Sequence, residues 1–193
     1  MRLILQVVLA FTIAAGLGLG ATWWSLTQAS PPFGALAIGP WRATPDVGGL
    51  GADPYLRAWI ARSGEAPLAY GDGLSFDATT DDAGRPLDAA CDYRLEGDLP
   101  AARLWTLAAF TPTGGRLANP LGRFATSSAE TVRMAGRPIA IELARDARPG
   151  DWLPLGGEGS FTLRLALYDT ALGTPLARSA PTALLAIIRG TCR

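Results

Sequence analysis

Apolar positions fall into two regimes along the chain. From Leu3 to Leu26 no charged residue occurs, and between Leu3 and Ala21 only Gln6 and Thr12 are polar. Twenty-four helical residues at about 1.5 Å each reach about 36 Å, enough for a tilted crossing of a hydrocarbon core about 30 Å thick. Later the apolar runs shorten and alternate. In the stretch Ser160 to Tyr168, Phe161, Leu163, Leu165 and Leu167 point one way, and Thr162, Arg164, Ala166 and Tyr168 the other. That period of two marks a strand with one face in a core. Pro149-Gly150-Asp151-Trp152-Leu153-Pro154 leads into it through a Gly-rich turn. Trp152, fenced by two prolines, is expected to plug the end of that core.

The remaining pattern predicts one short helix and a series of strands. Asp53 is a good N-cap, Pro54 suits the first turn and Gly64 a left-handed stop. Between them Leu56, Trp59, Ile60 and Ser63 share a face, with Arg57 and Arg62 left wet. Strands are expected at Leu74–Ala78, Asp92–Gly97, Leu104–Phe110, Phe124–Ser127, Thr131–Met134, Pro138–Ala144, Ser160–Tyr168 and Thr182–Arg189. Asp81-Asp82-Ala83-Gly84 reads as a turn and Thr113-Gly114-Gly115 as a hairpin tip. Short strands with Gly/Pro punctuation favour a mainly β, sandwich or jelly-roll-like domain over βαβ units. The expected organisation is a transmembrane anchor over residues 1–26, a Pro/Gly-rich linker over 27–51 and the β domain over 52–193. Trp41, inside the linker, is expected to tuck back onto the domain.

Composition bears on location and chemistry. Trp23 and Trp24 fall where an interfacial aromatic belt would sit. Arg2 is the last basic residue before Arg42, so the positive-inside bias places the N-terminus in the cytoplasm and everything after Trp24 outside. The competing reading is a cleaved signal peptide with Thr27-Gln28-Ala29 as its site; the length of the apolar run favours an anchor. Gly16 and Gly20 are spaced for close helix contact, a weak signal alone. The 17 basic and 17 acidic residues cancel, which gives no pull toward nucleic acid. Lysine and histidine are absent, which removes imidazole bases, amine nucleophiles and the usual zinc ligands. No cofactor is expected. Cys91 and Cys192 are the only cysteines; in an oxidising compartment they are expected to bond, with two free thiols as the alternative.

Carboxylates and one strand face remain as candidate chemistry. Asp77, Asp81, Asp82, Asp88 and Asp92 crowd one region, but without the spacing of a calcium loop. A glycosidase-type carboxylate pair stays open, since separation in space is invisible in sequence. The candidate ligand groove places Thr162, Arg164 and Tyr168 on one face, near Arg103, Trp105 and Glu142, suited to a carboxylate or sugar. The alternative is that Arg164 pairs with a neighbouring strand's carboxylate.

Tyr55-Leu56-Arg57-Ala58, Cys91-Asp92-Tyr93, Arg103-Leu104-Trp105-Thr106-Leu107, Gly150-Asp151-Trp152-Leu153-Pro154 and Leu163 to Asp169 together resemble bacterial domain-of-unknown-function family 1214, over roughly residues 40 to 193. The Asp-Trp-Leu-Pro run before a Leu-Arg-Leu strand is the most specific piece; the family usually has Asn-Trp-Leu there. In particular, the chain looks like the short membrane-anchored branch. The resemblance implies an exported β-sandwich with jelly-roll character and a companion of domain family 1254 as a separate partner protein. It supplies no catalytic residues. Two functions are thus expected: a non-enzymatic interaction module in the bacterial envelope or, alternatively, a small-ligand or glycan-binding module with weak hydrolase activity.

Overall fold

The computed structural model describes residues 2–27, 34–64, 68, 71–132, 136–173 and 183–193. It is a mainly β protein preceded by one long helix, α1 (Arg2–Thr27), apolar and long enough to span a membrane. Strands β1 (Leu36–Ile38) and β2 (Trp41–Ala43) follow, then helix α2 (Pro54–Ser63). After it come β3 (Gly73–Ala78), β4 (Cys91–Gly97), β5 (Leu104–Phe110), β6 (Ala125–Ser127), β7 (Ile139–Ala144), β8 (Asp151–Pro154), β9 (Thr162–Tyr168) and β10 (Ala186–Cys192).

The strands form two sheets. One has six strands in the order β1-β2-β3-β9-β5-β6, the other four in the order β10-β4-β7-β8. Their inner faces share one core. Leu74, Phe76, Trp105, Leu107, Leu163, Leu165 and Leu167 come from the first sheet, and Tyr93, Leu95, Ile141, Leu143, Leu153 and Ile187 from the second. The alternation along Phe161 to Tyr168 is the reason β9 sits centrally: Leu163, Leu165 and Leu167, with Phe161 just before the strand, are all buried, and β9 pairs with β3 on one side and β5 on the other.

Expected elements and observed ones differ in places that share a physical cause. Residues 36–43 were assigned to the Pro/Gly-rich stretch, yet they extend the six-stranded sheet. Pairing with β3 holds them there, and Trp41, buried to 1%, ties them to the other sheet, its indole N–H donating to Leu185 O, just before β10, at 2.7 Å. Trp152 is not a core plug. Asp151–Pro154 is a strand lying parallel to β7, so Leu153 takes the buried position while Trp152 stays half-buried, its N–H on Ala144 O. A crossover of six residues normally cannot join parallel neighbours. Here the pair is four residues long, about 13 Å, within reach of residues 145–150. Thr131 and Val132 are not in a strand; Arg133 and Met134 lie outside the described residues. The closing strand starts at Ala186 rather than at Thr182, which is also outside them, as are Gln28, Ala29, Pro31 and Pro32.

The helix α2 has the expected ends. The Asp53 carboxylate accepts from the N–H groups of Tyr55 and Leu56, and Gly64 closes the helix at φ 66°. At the far end of the sandwich, Cys91 and Cys192 are disulfide-bonded, joining the start of β4 to the end of its neighbour β10.

Candidate functional site

The outer face of β9 is occupied by an internal ion pair. Asp77 on β3 lies directly across from Arg164. Arg164 donates through Nε to Asp77 Oδ1 at 2.7 Å and through Nη2 to Oδ2 at 2.8 Å, a planar two-point fit. The Phe110 ring lies 5.2 Å from the guanidinium carbon. Thr162 and Tyr168 share this face. Arg103 touches it through its backbone, with its N–H on Tyr168 O. Trp105 and Glu142 are not part of it. Trp105 points inward from β5 at 2% exposure, while Glu142 belongs to the other sheet and accepts from Arg94 Nη1 at 2.9 Å.

The clustered aspartates are likewise spent on structure. Asp82 accepts from Ile187 N–H at 2.7 Å and blocks the open edge of β10. Asp88 accepts from Ala90 N–H, and Asp92 from Arg148. Asp81 is the buried member, accepting from the N–H groups of Ala83 and Arg85 and from Arg85 Nε, with Arg189 Nε 3.2 Å away. Burial alone raises the pKa of its carboxyl, but the Arg85 hydrogen bonds, with the Arg85 and Arg189 charges, outweigh it and hold it below the ordinary value. Among the described residues no three His, Cys, Asp or Glu side chains gather as a metal-holding group.

Two hollows remain. A cavity of about 270 Å³ sits at one end of the sandwich, lined by Asp98, Leu99, Ala102, Trp105, Arg137 and Ile139 among others. The Trp105 indole N–H has no hydrogen-bond partner and is sealed from solvent, so it offers the cavity no donor. The second hollow, about 530 Å³, is an open trough on the four-stranded sheet where Asp92, Arg94, Glu142 and Arg148 pair among themselves.

One contact was invisible in the sequence. Arg62 of α2 stacks over the Trp23 ring of α1, 5.9 Å from its centre. Ser25 is 7% exposed, although the other described side chains of α1 are exposed. The last turn of the apolar helix is therefore seated on the domain.

The family model described as "Protein of unknown function (DUF1214)" matches residues 72–172, just over half of the chain. The chain belongs to this family. The matched span runs from the residue before β3 to the turn after β9 and contains the Asp77–Arg164 pair and the aspartate cluster. The crystal structure of the VPA0106 protein from Vibrio parahaemolyticus shares the fold, with a TM-score of 0.58 and 16% identity over 73% of this chain and 36% of that one. A crystal structure of an uncharacterized protein from Burkholderia cenocepacia aligns with a TM-score of 0.44 and 14% identity, over 95% of this chain and 52% of that one. The chain thus spans about a third to a half of the length of these two. No curated protein matches it.

Proposed function

We propose that this family member is a single-pass protein of the bacterial inner membrane. Its N-terminus is cytoplasmic, and its β-sandwich stands in the periplasm as a non-enzymatic interaction module for a family 1254-like envelope protein. The observation that carries the proposal is the join between an exposed 26-residue helix, uncharged after Arg2, and a disulfide-closed sandwich. The orientation follows from Arg2 standing before the span and no further arginine before Arg42. Interaction is favoured over ligand binding because the guanidinium best placed to receive an anion, that of Arg164, is already matched by Asp77. The same fold occupying 36% of a longer chain is in keeping with a module that works beside another domain.

The test is cross-linking in intact cells, followed by solubilisation in mild detergent and mass spectrometry. A family 1254 protein recovered in stoichiometric amount is the expected result. Recovery of the lone chain from cells that contain such a protein would refute the partnership.

A further inference from the structure

We infer that residues 50–63 form a foot by which the sandwich rests on the headgroup layer of the bilayer that α1 crosses. The inference rests on the membrane-anchor reading and adds a second, peripheral contact to it. Three observations on this stretch converge. First, it is fixed at the right depth. The Arg62–Trp23 stack and the buried Ser25 hold α2 against the last turn of α1, where Trp23 and Trp24, both exposed, form the interfacial pair. Second, its outward side chains are those an interface takes. Leu56 is buried, while Tyr55 is 44% exposed and Leu50 fully exposed. Outside α1 the described chain has five large exposed hydrophobics, Leu50, Tyr55, Leu121, Val132 and Ile188; two of them lie within six residues here, so the patch is local. Third, its charge suits phosphate. Helix α2 carries Arg57 and Arg62 and no acid, and the adjacent Asp53 carboxylate is committed to capping.

β2 runs toward the Gly73 end of β3, because Trp41 pairs with Ala78 and Arg42 with Asp77, which sets Ala43 level with Phe76. Tyr168 and Leu104 lie at that Gly73 end. Leu121 lies away from it, beyond the Ala125 end of β6, which pairs with Ala108.

The experiment uses the full chain in vesicles of phosphatidylcholine and phosphatidylglycerol containing a lipid with a headgroup nitroxide. A Leu50→Cys variant is labelled with an environment-sensitive fluorophore, with the native disulfide left oxidised, and compared with Leu121→Cys labelled in the same way. The expected result is a blue-shifted emission at position 50, quenched several-fold more strongly than at position 121. Replacing both Arg57 and Arg62 with Gln should reduce the quenching at 50 in anionic vesicles and change it little in pure phosphatidylcholine. Equal quenching at 50 and 121, in protein that stays with the vesicles through an alkaline carbonate wash, would overturn the foot and leave the anchor standing. Loss of the protein in that wash would overturn both. Shielding of position 50 only after a family 1254 protein is added would assign the surface to that protein and overturn the lipid contact.

Discussion

Removing the Cys91–Cys192 bridge should weaken the sandwich mostly through its unfolded state. The two cysteines are 101 residues apart. A closed loop of about 100 residues is worth about 4.7 kcal/mol in the chain-entropy model. The native fold has other means of keeping β10 in place. It pairs with β4 from Ala186 to Arg189, Asp82 holds Ile187, and Trp41 reaches Leu185 just upstream. The Cys91→Ala/Cys192→Ala protein should therefore fold to the same structure. Observed losses in small domains run about 2–5 kcal/mol, so about 3 kcal/mol is expected, or a Tm lower by about 6–12 °C. The assay is urea unfolding of the full chain in detergent, followed by near-UV circular dichroism, for the oxidised protein and the double variant. The midpoint should fall. The denaturant slope should rise, because an unlinked unfolded chain exposes more surface. An unchanged midpoint and slope would refute the reasoning, since they would mean that the bridge restrains nothing the β10 contacts do not already restrain.

Three further outcomes follow from named contacts. Trp41 and Trp105 are both buried, but only Trp41 has a partner for its N–H. Trp41→Phe should cost about 2–4 kcal/mol, while Trp105→Phe, which also removes an unmet donor, should stay within about 1 kcal/mol of native in the same unfolding assay. A Cβ at Gly156 would sit 2.1 Å from Ala118 O and 2.8 Å from Asn119 Cα, whereas at Gly150 (φ +84°) it would meet nothing. Gly156→Ala should lose about 3 kcal/mol of stability and Gly150→Ala about 1, as measured by urea midpoints. The Asp81 carboxyl has its pKa lowered from 3.8. Its contribution is thus complete above the unfolded value and lost as pH falls through the lower folded one. Stability should drop on acidification below about pH 4, and Asp81→Asn should make that drop shallower.

The sequence made the central strands and the short helix legible because one signal decided each of them. Period-2 alternation set β9, and Asp53, Pro54 and Gly64 set the limits of α2. Where two signals competed, the sequence misled. Prolines and glycines around Trp41 and Trp152 speak for linker and plug, but β1 and β2 are three residues each with the prolines outside them, and Pro154 lies in β8, an edge strand, where proline is tolerated. In both places the tryptophan N–H found a backbone carbonyl: Trp152 ties β8 to its neighbour β7, and Trp41 ties β2 across to Leu185, just before β10 of the other sheet. The candidate groove shows the other limit. Alternation correctly placed Thr162, Arg164 and Tyr168 on one face, but register decides which residue stands opposite. Only the β3–β9 pairing shows that Arg164 faces Asp77. Glu142 and Trp105 were grouped with it on sequence alone, and they occupy a different sheet and a different face.

The two ends of β4 are held differently. The Gly97 end of β4 pairs with Ile139, and Asp98 and Ile139 line the cavity shared with Trp105, near the Leu104–Tyr168 end of the other sheet. Cys91 stands at the opposite end of β4, where the disulfide ties it to the end of β10. The Asp81–Gly84 turn, locked by Arg85 and Arg189, lies over β10 nearer its start, with Asp82 on Ile187. Strand ends held only by their own contacts are the first to fray, and the bridge closes one such end. On the side faces the charges are largely matched within the molecule: Arg94 with Glu96 and Glu142, Arg148 with Asp92, Arg164 with Asp77. With 17 charges of each sign, no net field would steer an encounter, so any recognition on these faces would rest on fit and burial rather than long-range attraction.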